Sequence, residues 1–212
     1  IISRGNYRKD LFQEEATGSS FEQTIFEATE KCGWKLYAYV IMRNHYHLAL
    51  QTPEPNLVSG MKWLQSTFAT RFNRFHGERG HVFQGRYKSL LVTEDRPLLG
   101  LIDYIHLNPV RAGLCRLDDL GTYSLSSFPK YQQRKVPEPL DRRTVLELCG
   151  LPDTPAGFRH YARRLNAVEE NDPAARESLA KRYGHGWFLG SDNARKETAK
   201  QIADSAGNTL WL

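Results

Sequence analysis

Two runs of β-forming residues, 34–42 and 45–51, follow one another with only Arg43-Asn44 between them. Trp34, Tyr37, Tyr39, Val40 and Ile41 favour extended backbone, and Asn44 favours a turn, so the pair folds as an antiparallel hairpin. On either side the apolar spacing becomes helical. Phe21, Ile25, Phe26 and Ala28 predict a helix over 21–32, with Ser20 as N-cap and Gly33 as the stop. Residues 57–75 predict a long amphipathic helix ended by 76–80. Residues 82–92 return as a strand, and 96–108 form a helix that Pro109 halts. Residues 1–4 look like the end of a strand closed by Gly5-Asn6, so further residues are expected before them. Helices alternating with antiparallel strands imply an α+β fold, with helices packed on the sheet.

Beyond residue 120 the composition changes. Residues 121–140, rich in Ser, Gly, Tyr and Pro, look like a linker or wrapping segment. Residues 141–212 look like a small helical region, with helical patterns at 144–148, 155–165, 173–183 and 192–203. Cys32, Cys115 and Cys149 are odd in number and widely spaced, which gives no disulfide framework and points to a reducing cytoplasm. No run approaches the ~20 apolar residues of a membrane span.

Charge is concentrated. Between 61 and 90 lie Lys62, Arg71, Arg74, Arg79, Arg86 and Lys88 against the single acid Glu78, a surplus equal to the net charge of +5 of the whole chain. Trp63, Phe68, Phe72, Phe75, Phe83 and Tyr87 are interleaved with these bases. Cations for phosphates beside flat rings for bases suit a nucleic-acid surface; a solvated helix over an aromatic core has the same composition. Arg71, Arg74, Arg86 and Lys88 are candidates for backbone contacts, with Gln84 and Tyr87 near the substrate.

Two short motifs carry chemistry. In a strand His45 and His47 share a face while Tyr46, Leu48 and Leu50 share the other, so the two imidazoles form a bidentate metal platform or a polar solvated edge. In the later helix Tyr104 and Asn108, four apart, lie on one face. An amide oxygen one turn from a phenol can complete a metal site; equally, Tyr104 is a half-buried ring and Asn108 a terminal cap. His106 points elsewhere and is a surface or packing residue.

His45-Tyr46-His47 after Arg43-Asn44, then Val82-Phe83-Gln84-Gly85-Arg86-Tyr87-Lys88-Ser89, then Tyr104-Ile105-His106-Leu107-Asn108-Pro109-Val110-Arg111-Ala112-Gly113-Leu114 together resemble the REP-associated tyrosine transposases. These are a branch of the single-tyrosine, His-hydrophobic-His superfamily. The resemblance covers roughly residues 1–130. Ser3-Arg4-Gly5-Asn6 resembles the family's first strand and turn, which adds Arg4 and Asn6 to the DNA-contact candidates. It implies a ferredoxin-like sheet with the histidine pair on a central strand, in a catalytic domain over 1–120. It implies that His45, His47 and Asn108 hold a divalent metal, Mg²⁺ or Mn²⁺, although on ligand type alone zinc or another transition metal suits the pair equally. Tyr104 would then attack a phosphodiester in single-stranded DNA bearing imperfect palindromic hairpins, giving a 5′-phosphotyrosine and a free 3′-hydroxyl. The same resemblance is compatible with a monomer or a homodimer. Arg43 stands where relatives often have Pro, which offers a phosphate contact, and Tyr46 is larger than the usual aliphatic. A hairpin-binding protein without cleavage activity is the competing expectation. For Arg159, Arg163, Arg164, Arg176, Lys181 and Arg182, outside the motifs, duplex contact and a solvated face stand level.

Overall fold

A computed structural model describes residues 1–171 and 188–207 of the chain. Strand β1 (Ile2–Arg4) leads through a 3-10 turn into helix α1 (Glu15–Cys32). Then come the hairpin β2 (Lys35–Ile41) and β3 (His45–Gln51), helix α2 (Leu57–His76), the short strand β4 (Leu91–Val92) and helix α3 (Asp95–Arg111). The sheet is antiparallel in the order β1-β3-β2, so the strand bearing both histidines is central. Tyr46 faces α1 and α2: its ring lies 4.6 Å from Phe21, and Gln65 donates to its hydroxyl. His47 faces α3, so the sheet is a layer between two sets of helices.

The first face is packed with rings. Phe12, Phe21, Tyr46, Phe68 and Phe83 form one cluster, with centroids 4.6 to 6.0 Å apart. Phe68, Phe72 and Phe83, interleaved with the basic window, are thus core residues, while Phe75 is exposed. Each buried ring contributes about 2–3 kcal/mol by removal from water. α2 approaches Trp34 at Gly60, where an added Cβ would sit 2.2 Å from the indole ring, and the ring is fixed by Nε1 donating to Asn56 Oδ1 at 2.7 Å. Gly60→Ala is therefore expected to lower stability by about 1–2 kcal/mol, although alanine is the better helix former. Urea denaturation measures this, and an unchanged midpoint would show that the ring moves aside freely.

Several boundaries differ from those the sequence predicts. α1 begins at Glu15, six residues before Phe21, and Ser20 lies within the helix rather than capping it. Packing sets that start: Gly18 rests against Leu125, and Thr17 and Gly18 are buried. Gly33 does end the helix, in the left-handed region at φ 64°, with its N–H donating to Glu30 O.

Residues 82–90 form no continuous strand. They run antiparallel to β1, joined by a reciprocal Ile2–Lys88 pair and by Gln84 N–H donating to Arg4 O. Two extra residues bulge out between these contacts at Gly85, whose φ is +66°. Pro109 does not stop α3, which continues to Arg111, because Pro109 is buried and the ladder resumes with Ala112 N–H donating to Asn108 O.

Residues 121–140 lie along β2. Ile41 N–H donates to Leu125 O, Ser127 Oγ bonds both backbone groups of Tyr39, and the hydroxyl of Tyr131 donates to Tyr37 O. Helices α4 (Ser127–Tyr131), α5 (Arg142–Leu148) and α6 (Pro155–Asn171) follow. Strand β5 (Phe188–Leu189) pairs in parallel with β4, and α7 (Asp192–Gly207) comes last. The helical pattern at 173–183 lies outside the described residues. Among the described residues, no helix is long and apolar enough to cross a membrane.

Candidate active site

β3 and α3 bring the two motifs together. Their spacing in sequence is 57 residues, yet the rings of His47 and Tyr104 lie 5.6 Å apart, edge to face, and those of His45 and His47 lie 5.1 Å apart. Alternation along β3 places both imidazoles on the α3 side, and the helical repeat places Tyr104 and Asn108 on the side of α3 that meets them. Asn108 Nδ2 donates to Tyr104 O at 2.8 Å, which orients the amide.

The electrostatics keep both histidines neutral. Burial lowers His45 to about 4, with help from Arg4, and His45 Nδ1 pairs with Asn44 Oδ1 at 2.8 Å. Burial holds His47 well below the usual range, with His45 and Arg4 adding to the effect. Burial raises the Tyr104 phenol, and Arg111, Asn108 and Arg4 oppose that rise. Two neutral imidazoles and an oriented amide are a donor set that fits a divalent cation, because imidazole must be unprotonated to bind one. Among the described residues, no group of three His, Cys, Asp or Glu side chains could hold a metal.

Of the predicted DNA contacts, Arg4 is paired across the ladder with His45 and so shares its face. Gln84, Arg86 and Lys88 are exposed on the bulge beside β1, where Gln84 bonds Arg4 through the backbone. Tyr87 is half-buried, and Asn6 Nδ2 donates to His81 O. Arg43 is ion-paired with Asp10 at 2.7 Å, near the start of β3. Arg71 and Arg74 are not in this site. They border a groove of about 600 Å³ between α1 and α2, across the sheet from the histidines, and Arg71 is paired with Glu27.

His106 is fully buried. Ser127 Oγ already accepts from Tyr39 N and donates to Tyr39 O. His106 pairs through Nε2 with this hydroxyl at 2.8 Å and through Nδ1 with the hydroxyl of Tyr161 at 2.8 Å. This chain of bonds is a support for α3. Arg164, taken from sequence as a duplex or solvent residue, instead makes a two-pronged ion pair with buried Asp103, 2.6 Å at each contact. Arg176, Lys181 and Arg182 lie outside the described residues.

One site residue is missing from the sequence prediction. Arg111 places its guanidinium carbon 5.5 Å from the centre of the Tyr104 ring. Its position seven residues after Tyr104 and three after Asn108 puts all three on one helix face, a signal concealed by ending the helix at Pro109.

With this geometry in place, comparison with known proteins is decisive at one level. Residues 1–108 match the model of the family described as Transposase IS200 like, slightly more than half of the chain and inclusive of His45, His47, Tyr104 and Asn108. The chain belongs to the IS200-like transposase family. A Haemophilus influenzae protein bearing the name REP-associated tyrosine transposase is 26% identical over 106 residues, covering 45% of this chain and 60% of the relative. The match thus spans less than two thirds of that relative's length. A solved structure described as a REP-associated tyrosine transposase bound to a REP hairpin superposes with a TM-score of 0.51 at 16% identity, over 65% of this chain and 80% of that one. That likeness shows that this IS200-like transposase has the REP tyrosine transposase fold.

Proposed function

We propose that this IS200-like transposase cleaves and rejoins single-stranded DNA carrying imperfect palindromic hairpins, with Tyr104 as the nucleophile. The observation that carries this reading is the contact of the Tyr104 ring with His47. It sets a phenol beside a pair of neutral imidazoles, within the part of the chain that matches the family. His45, His47 and Asn108 would hold a Mg²⁺ or Mn²⁺ ion. When bound, that ion supplies positive charge to a phosphodiester oxygen and to nearby oxyanions.

Tyr104 Oη forms a bond to phosphorus, the bond from phosphorus to the 3′-oxygen breaks, and the proton lost from the phenol is balanced by the one gained by the departing 3′-hydroxyl. The product is a 5′-phosphotyrosine. Because one phosphate ester replaces another, a second 3′-hydroxyl can reverse the step and join strands without a nucleotide cofactor. An ordinary phenol is ionised to only about one part in a thousand at pH 7, a deficit near 4 kcal/mol. Arg111, Arg4 and the Asn108 amide reduce that deficit where burial increases it. Exposed Gln84, Arg86 and Lys88 flank the β1 edge on which Arg4 sits, and so extend a cationic track towards the site.

The test is a denaturing-gel assay with labelled hairpin oligonucleotides and Mn²⁺ or Mg²⁺. A labelled protein–DNA adduct is expected, lost on addition of EDTA and restored by excess Mn²⁺. Hairpin binding with no adduct across a broad panel would make the protein a binder of hairpins rather than a transposase in action.

A further inference from the structure

Arg111 and Glu169 lie beyond residues 1–108, the part of the chain that matches the family, yet Arg111 reaches the Tyr104 ring. Arg111 Nε donates to Glu169 Oε2 on α6 at 3.0 Å, and the two side chains are only 15% and 9% exposed. One edge of the guanidinium is therefore fixed by α6, while the group lies 5.5 Å from the Tyr104 ring centre. Nη1 is buried, and no acceptor for it exists among the described residues. A buried donor of this kind normally has a partner, and one beside a nucleophile calls for an explanation in terms of substrate.

We propose that Arg111 binds the scissile phosphodiester through its Nη edge, and that Glu169 is the positioning residue that holds Arg111 there. This rests on the tyrosine-nucleophile reading. A planar fork of donors suits the two non-bridging oxygens of a phosphate, which a point charge engages less specifically. The ion pair fixes the fork relative to α3, and α3 itself carries Tyr104. A phosphate engaged by Arg111 would therefore lie beside the phenol that attacks it. Arg4, on the facing strand, adds a second cation on the same side of the sheet. The C-terminal region on this view completes the active site.

The experiment uses the full chain and one hairpin oligonucleotide, selected from a random-flank pool for binding to the wild-type protein. Single phosphates of its flank are replaced in turn by neutral methylphosphonate. Wild type is expected to show one position where the replacement weakens binding roughly tenfold. Arg111→Met should flatten this ratio to below about twofold, Arg111→Lys should leave it between the two, and Glu169→Gln should reduce it to about threefold. Each ratio compares two DNAs on one preparation, so a partly unfolded variant does not mimic the effect. In single turnover at saturating DNA, Arg111→Met should also slow adduct formation by about 100-fold, so the loss falls on the chemical step as well as on affinity. The same methylphosphonate ratio in Arg111→Met as in wild type, or no sensitive position in wild type, would overturn the proposal. Wild type that shows the sensitive position but forms no adduct would uphold the phosphate contact and remove the tyrosine reading instead.

Discussion

Tyr104→Phe is expected to lower covalent adduct formation by roughly 10⁴-fold or more, while hairpin affinity stays within about threefold of wild type. The substitution removes one oxygen and leaves the ring, so the edge contact with His47 and the stacking beneath Arg111 both survive. The helix register that carries Asn108 and Arg111 is retained, because Asn108 still donates to the backbone carbonyl of residue 104 when its hydrogen bond with the phenol is lost. Loss of rate with retained binding would thus isolate the nucleophile. Single-turnover gels and filter binding on the same preparation measure the two quantities. Cleavage that persists in Tyr104→Phe would make water the nucleophile and the protein a metal-dependent nuclease, with no route to rejoining strands through a stored phosphotyrosine.

What the sequence shows of this site depends on how local each signal is. The histidine pair is legible because alternation along one strand is enough to place two side chains together. Tyr104 and Asn108 are legible for the same reason, with a period of four. The contact between the two motifs is a tertiary fact, and only the resemblance to a known family joined them in advance. Arg111 was hidden by a local rule applied where packing overrides it, since a proline that ends an exposed helix is tolerated in α3 with its ring buried. The early start of α1 has the same origin, because Leu125, a hundred residues away, makes the place where Gly18 fits. The basic window misleads in another way. Charge and aromatic content say nothing of direction, and the sheet sends Phe68, Phe72 and Phe83 inward and Arg71 and Arg74 to the face remote from the histidines.

Replacing Arg164 by Met is expected to destabilise the protein by about 2–4 kcal/mol at pH 7.5. Asp103, one residue before Tyr104, has only 6% of its side chain exposed and is held by both guanidinium prongs. Arg164 is 36% exposed, so solvent screens part of the pair and the loss falls below that of a fully buried one. The pH dependence identifies the cause. Burial raises the Asp103 carboxyl above its ordinary value, and Arg164 acts against that rise. A carboxyl whose folded-state value is raised favours the native state when protonated, and costs stability as pH climbs through that value. Removing Arg164 raises it further, so the deficit of the variant should be greatest near neutrality and shrink as pH falls towards 4. His106 shifts stability the other way. Burial holds it at about 3, so the native state loses about 1.4 kcal/mol per pH unit on acidification below pH 6.5. That loss is common to both proteins and cancels in the difference between them. Urea denaturation of wild type and Arg164→Met from pH 7.5 to 4.5 measures the deficit. A deficit below about 1 kcal/mol, or one that does not change with pH, would mean that Asp103 is already neutral in the native protein and that α6 supports the tyrosine helix without this ion pair.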